Sequence, residues 1–83
     1  MKWESLEDWI LDALRAHGGS ATIVEMARYI WTHHESDLRS SDEMFFTWQY
    51  RMRWAGTRLS KAGKINKGKD GIRARWLLLP NAS

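Results

Sequence analysis

The apolar positions divide the chain into three helical segments followed by two short extended segments. Helical spacing of apolar side chains predicts a first helix over residues 5–17 and a second over 23–34. Residues 35–41 are polar and are predicted to form a loop, and a third helix is predicted over 44–62. The buried face of that third helix is expected to carry the apolar residues at alternating steps of three and four: Phe45, Trp48, Met52, Ala55, Leu59 and Ala62.

Capping patterns and glycines mark the ends of these helices. The segments 5–8, 22–25 and 40–43 each begin with Ser or Thr and carry Asp or Glu three positions later. In this capping-box pattern each end residue bonds to the backbone of the other, so a helix start is predicted at each segment. The glycines at 18–19 and at 63 are predicted to follow helix C-termini, because glycine accepts the left-handed backbone common there.

After the third helix the pattern changes to short extended segments. Residues 64–67 and 72–79 are predicted strands on either side of a glycine-bracketed turn at 68–71. Pro80 cannot donate to a strand ladder and is expected to end the second strand. Three helices followed by a C-terminal β-hairpin predict an α+β fold of the winged helix-turn-helix type, in which the hairpin is the wing.

Composition supports one small domain with a large-residue core. The chain has 83 residues, including six tryptophans and no cysteine, so we expect a single domain over 1–79 and a flexible tail over 80–83. The lack of cysteine excludes disulfides and thiolate metal sites. No apolar run approaches the roughly 20 residues of a membrane span, and no signal-peptide pattern opens the chain. A cytoplasmic location is therefore expected.

Charge is distributed unequally along the chain. Residues 1–43 hold four bases and nine acids, whereas residues 44–83 hold nine bases and one acid, which gives net charges of −5 and +8. A basic surface paired with the acidic half would explain such a division without any polyanion. A surface that binds a polyanion would also explain it.

The predicted third helix carries the residues that favour the polyanion. Opposite its apolar face are Phe46, Tyr50, Arg53, Trp54, Thr57 and Lys61. Arginine can bond guanine in the major groove, threonine can contact a thymine methyl group or a phosphate, and lysine neutralises phosphate. Bases of the hairpin are expected to follow the DNA backbone or to enter the adjacent minor groove. The predicted DNA-binding residues are Tyr50, Arg51, Arg53, Thr57, Arg58, Lys61, Lys67, Lys69 and Arg73.

The aromatic residues on this side of the helix allow another interpretation. Large exposed aromatics usually pack against another element or subunit, so we expect Trp54 to be buried beneath the hairpin. Phe46 is expected to pack against the preceding loop or a second chain. The alternative function is a winged helix that docks a protein through Phe46, Tyr50 and Trp54. RNA binding is a third hypothesis, which the lack of an aromatic-rich sheet disfavours.

The segment from Arg53 to Gly63, RWAGTRLSKAG, resembles the N-terminal winged-helix domain of Mrr-type restriction proteins. Domains of that family carry a similar Arg-Trp-Ala helix followed by Leu and a Lys-Ala-Gly-like end. Gly71 and Trp76 are similar to the glycine and tryptophan of the family's terminal hairpin. The resemblance covers roughly residues 5–79 and implies a DNA-binding module. The sequence holds no counterpart of the family's nuclease domain, so the resemblance implies no cleavage.

No catalytic, cofactor or metal site is predicted. Residues 63–70 are one residue short of a phosphate-binding loop, and a helix precedes them where that loop needs a strand. His33 and His34 are adjacent and point about 100° apart on a helix, which does not suit a shared metal ion. We therefore expect a non-enzymatic regulator or accessory subunit. Its expected partners are double-stranded DNA and either a second copy of the chain or a separately encoded protein.

Overall fold

The computed structural model describes residues 5–67 and 75–80 and packs three helices against a small sheet. The fold is α+β, as the sequence predicts. Among the described residues, no helix is long and apolar enough to cross a membrane. The elements in chain order are α1 Ser5–Ala16, β1 Ser20–Thr22, α2 Ile23–Leu38, α3 Asp42–Lys61, β2 Ile65–Asn66 and β3 Arg75–Leu78.

The sheet has three antiparallel strands in the order β1-β3-β2. The pairing of β2 with β3 confirms the predicted C-terminal hairpin, although the turn at 68–71 and residues 81–83 lie outside the described residues. β1 was not predicted from the sequence. It has three residues, of which Ala21 is the buried one, and such a segment is too short to show an alternating pattern.

Glycines end α1 and α3 as predicted. Gly18 and Gly63 both have φ of 76°, the left-handed region. At the end of α3, the backbone N–H of Gly63 donates to Ser60 O at 3.1 Å and that of Lys64 to Leu59 O at 3.0 Å. This pair of bonds is the Schellman arrangement, which satisfies carbonyls that the helix leaves without partners. It also directs the chain into β2.

The loop predicted over 35–41 is wrong for its first half, because α2 continues to Leu38. The backbone leaves helical geometry at His34, with φ of −132° and ψ of 24°, and a further turn follows. Leu38 is 0% exposed and anchors this turn in the core. An ion pair of 2.8 Å between Arg39 Nε and Glu35 Oε2 spans it on the outside. A single buried leucine thus extends a helix through a polar sequence.

The capping box at 40–43 predicts Ser40 as the N-cap of α3, and this is also wrong by one residue. Ser41 is the N-cap, and its hydroxyl accepts a bond of 3.1 Å from Met44 N. The capping box at the start of α2 is confirmed: Glu25 N donates to Thr22 Oγ1 at 3.2 Å, and Thr22 N donates to Glu25 Oε1 at 2.9 Å. The second of these bonds is the main reason that the pKa of Glu25 lies below its usual value.

The core lies between the helices and the inner face of the sheet. Trp76 of β3 is 1% exposed, and its indole ring packs directly against Gly56 in the middle of α3. On the other side of α1, the ring of His34 stacks on Trp9 with centroids 3.9 Å apart. Burial in this stack lowers the pKa of His34. The remaining core consists of aliphatic side chains, three methionines and Trp48.

Candidate nucleic-acid interface

One flank of α3 faces away from the core and carries four of the nine predicted DNA-binding residues. Tyr50, Arg53, Trp54 and Lys61 are exposed there, and Thr57 is half-buried among them. Their spacing of three and four residues places them on the same side of the helix. The sequence therefore predicts the composition of this flank correctly.

Lys67 joins this flank from the end of β2. Its Nζ donates a bond of 3.0 Å to Thr57 Oγ1 and lies 5.4 Å from the centroid of the Trp76 ring. The Thr57 hydroxyl in turn donates to Arg53 O at 3.2 Å. The threonine expected to contact a base is thus engaged within the protein, where it holds Lys67 against α3.

These residues enclose a shallow recess of about 210 Å³ on the surface. We call it the aromatic–basic recess; it is lined by Tyr50, Arg53, Trp54, Thr57 and Lys67. The rings of Tyr50 and Trp54 meet at 72° with their centroids 6.2 Å apart. Two rings nearly perpendicular to each other form a corner, and the cations stand beside it.

Two further predicted residues lie beside this flank but are engaged with acids. Arg58 forms an ion pair of 3.2 Å with Glu7 of α1, and Arg51 forms one of 3.2 Å with Glu43 in the first turn of α3. Both pairs are at the surface, where such pairs contribute about 0–1 kcal/mol. Each arginine can exchange its carboxylate for another anion at low cost.

The remaining predicted site residues are Lys69 and Arg73 of the hairpin, and both lie outside the described residues. Arg75 of β3 is described and belongs to the fold. Its Nε donates to Ser20 Oγ at 2.8 Å, and its Nη1 lies 3.5 Å from Glu25 Oε1. These contacts tie β3 to β1 and to the start of α2.

One expectation about the aromatic residues is wrong, and a second is wrong in one of its two alternatives. Trp54 is 57% exposed and does not lie beneath the hairpin, because the space between the sheet and α3 is filled by Trp76 against Gly56. Phe46 is 76% exposed and does not pack against the preceding loop, whereas its expected packing against a second chain stays a prediction. Among the described residues, the ring of Phe46 has one aromatic contact. It is with Phe45, the preceding residue, at a centroid distance of 4.9 Å and an interplanar angle of 76°.

A second concave surface, which the sequence did not reveal, lies between α2 and α3. It is an open cleft of about 590 Å³ with Trp31, Phe45 and Trp48 in its lining. The guanidinium of Arg39 lies 5.1 Å from the Trp31 ring centroid and 5.2 Å from that of Phe45. These rings come from two helices, so no spacing along the sequence could have predicted the cleft.

Comparison with known proteins adds no family assignment. No protein-family model matches the sequence, and no curated protein or solved structure matches it at a significant level. The resemblance to the N-terminal domain of Mrr-type proteins therefore stays a prediction. The geometry of α3 and its neighbours is the basis for assigning a function.

Proposed function

We propose that this chain is a winged-helix protein that binds double-stranded DNA through the exposed flank of α3 and the base of its hairpin. The order of elements supports the winged-helix assignment: a strand follows the first helix, and the third helix leads into a hairpin that pairs with that strand. In such a fold the third helix is the natural element to enter the major groove.

The observation that carries this proposal is a cluster of available cations on one side of α3. Within the described part of the chain, Arg53, Lys61 and Lys67 form no ion pair with an acid. Each is held on the same flank, two by α3 and one by its bond to Thr57. A surface of this kind attracts phosphates, because binding releases the counterions condensed on DNA.

The acids of the chain are placed so that they restrict how DNA can approach. Asp42 and Glu43 occupy the first turn of α3, where they favour the helix dipole and repel phosphate. The cations begin beyond them, from Arg51 onward. The contact surface is therefore the C-terminal half of α3, and the first turn points away from the phosphates.

The dimensions of the flank suit a groove. A helix of 20 residues is about 30 Å long, and the major groove of B-form DNA, about 12 Å wide, admits an α-helix. Arg53 has the planar donors that can bond a guanine edge, and the Tyr50 hydroxyl can bond a base or a phosphate. Lys61 and Lys67 can each neutralise a phosphate of the DNA backbone.

A salt titration tests the proposal. Affinity for a labelled duplex should fall as salt rises, with a slope in log–log terms of about −0.9 for each phosphate contacted. Replacing Lys61 by glutamine should weaken binding to all duplexes and reduce the slope by about one. A flat salt response of the folded protein, or no binding at low salt, would reject DNA binding.

Protein docking is the second candidate, and a specific observation favours it. Phe46, Tyr50 and Trp54 are all exposed on α3, and two of the neighbouring arginines are already paired with acids. Aromatic residues are enriched in protein interfaces. This function becomes the better explanation if the folded protein binds no nucleic acid at low salt, since the aromatic residues would then need another partner.

A further inference from the structure

The aromatic–basic recess has a property that reading a duplex does not require. Tyr50 is 65% exposed and Trp54 is 57% exposed, although both are large apolar rings on a small protein. A helix that reads only groove edges and phosphates needs hydrogen-bond donors and cations. Exposed ring faces provide stacking surfaces, and stacking requires a planar partner.

The shape of the recess limits what that partner is. Its volume of about 210 Å³ lies below the roughly 300–1,000 Å³ of sites for drug-sized ligands. The planes of the two rings meet at 72°, so a flat group that stacks on one ring is nearly perpendicular to the other ring. A corner of this size suits a single planar ring system.

The polar groups around the recess match a nucleotide. The Arg53 guanidinium presents up to five N–H donors to a base edge or to a phosphate. Lys67 also lines the recess and is held by Thr57, with its Nζ 3.0 Å from the hydroxyl oxygen. Stacking surface and cations side by side are the combination by which proteins bind single-stranded nucleic acid.

From this arrangement we infer that the recess takes one unpaired base next to a duplex, stacked on Trp54 or Tyr50. The inference rests on the proposed DNA binding and extends it to a class of DNA. Inside a duplex the faces of bases are covered by their neighbours and only the edges are accessible. A base in a single-stranded overhang or a bulge has an open face that can reach the recess.

The test compares three labelled DNAs that share one duplex: a blunt form, a form with a short single-stranded overhang, and a form whose overhang has the same phosphates but abasic sugars. Wild-type protein should bind the base-bearing overhang about tenfold more tightly than the abasic one, on the scale of one base–aromatic stack. A single-base bulge in the same duplex shows whether an internal unpaired base serves equally well.

Three variants assign the preference to the recess. Trp54→Leu keeps an apolar side chain without a ring, and Tyr50→Ala removes the second ring; together they should abolish the preference for bases over abasic sugars. Affinity for the blunt duplex should be retained in Trp54→Leu and lowered in Tyr50→Ala, because the Tyr50 hydroxyl is a proposed duplex contact. Phe46→Ala is the matched control, because Phe46 is more exposed than either ring and does not line the recess. It should leave the preference unchanged.

The possible failures are distinguishable. Equal affinity for base-bearing and abasic overhangs, with salt-dependent duplex binding intact, overturns the inference and leaves the proposed function standing. A preference that survives Trp54→Leu and Tyr50→Ala also overturns it, since the base would then be bound elsewhere. Absence of binding to all three DNAs contradicts both proposals together.

Discussion

Gly56 is the residue on which the packing of the sheet against α3 depends. It lies in the middle of a helix, where glycine costs about 1 kcal/mol relative to alanine. The indole ring of Trp76 occupies the space that a Cβ atom would need. The glycine is thus a poor residue for the helix and the suitable one for the interface, because it lets the largest core side chain touch the backbone.

Replacing Gly56 by alanine should therefore destabilise the protein despite the better helix propensity. The methyl group would force Trp76 out of its position, and overpacking of this kind costs about 1–3 kcal/mol. Chemical denaturation followed by circular dichroism measures the change. Ser60→Ala on the same helix is the control and should leave stability nearly unchanged; an equal or raised stability of Gly56→Ala would contradict the packing described.

The two tryptophans Trp54 and Trp76 show what residue-level reasoning can and cannot predict. Helical spacing correctly places Trp54 opposite the apolar face of α3. The expectation that it is nevertheless buried under the hairpin fails, because only one indole fits between the sheet and the helix. Which one fits depends on the position of β3 at the centre of the sheet, and the partner strand β1 is too short to be predicted.

At the scale of elements, local signals predict helices better than their exact ends. The capping box at 22–25 and the glycines at 18 and 63 form the helix ends that their patterns predict. Each depends on hydrogen bonds between residues that are close in sequence. The extension of α2 to Leu38 depends on a core formed by other helices. Two adjacent serines precede α3, and the pattern with Glu43 favours the wrong one.

The position of the α3 cap leads to a matched prediction. Ser41→Ala removes the hydroxyl that accepts from Met44 N, and loss of such a cap costs about 1 kcal/mol. Ser40→Ala removes a hydroxyl that has no capping role and should change the free energy of unfolding by only a few tenths of a kcal/mol. Urea titration of the two variants compares them. If Ser40→Ala were the more costly change, α3 would begin one residue earlier than described.

At the scale of the whole molecule, the fold determines which bases of the C-terminal half lie next to acids of the N-terminal half. The sequence predicts that bases concentrate after residue 43 and that several share one flank of α3. It does not predict which of them are neutralised across the fold. Arg58 meets Glu7 of α1 and Arg75 meets Glu25 of α2, and these partners are more than 45 residues apart in sequence. Among the described residues, Arg53, Lys61 and Lys67 form no ion pair with an acid.

The central claim is that DNA binds to the cations on the α3 flank because of where they lie. The net charge of the chain alone would not account for this binding. Arg53→Glu and Arg28→Glu test it most directly, because both change the net charge by the same amount and Arg28 lies on α2, outside the flank. Duplex affinity is measured at one low salt concentration for both variants. The account predicts a loss of about tenfold or more for Arg53→Glu and a much smaller loss for Arg28→Glu. Equal losses would contradict it.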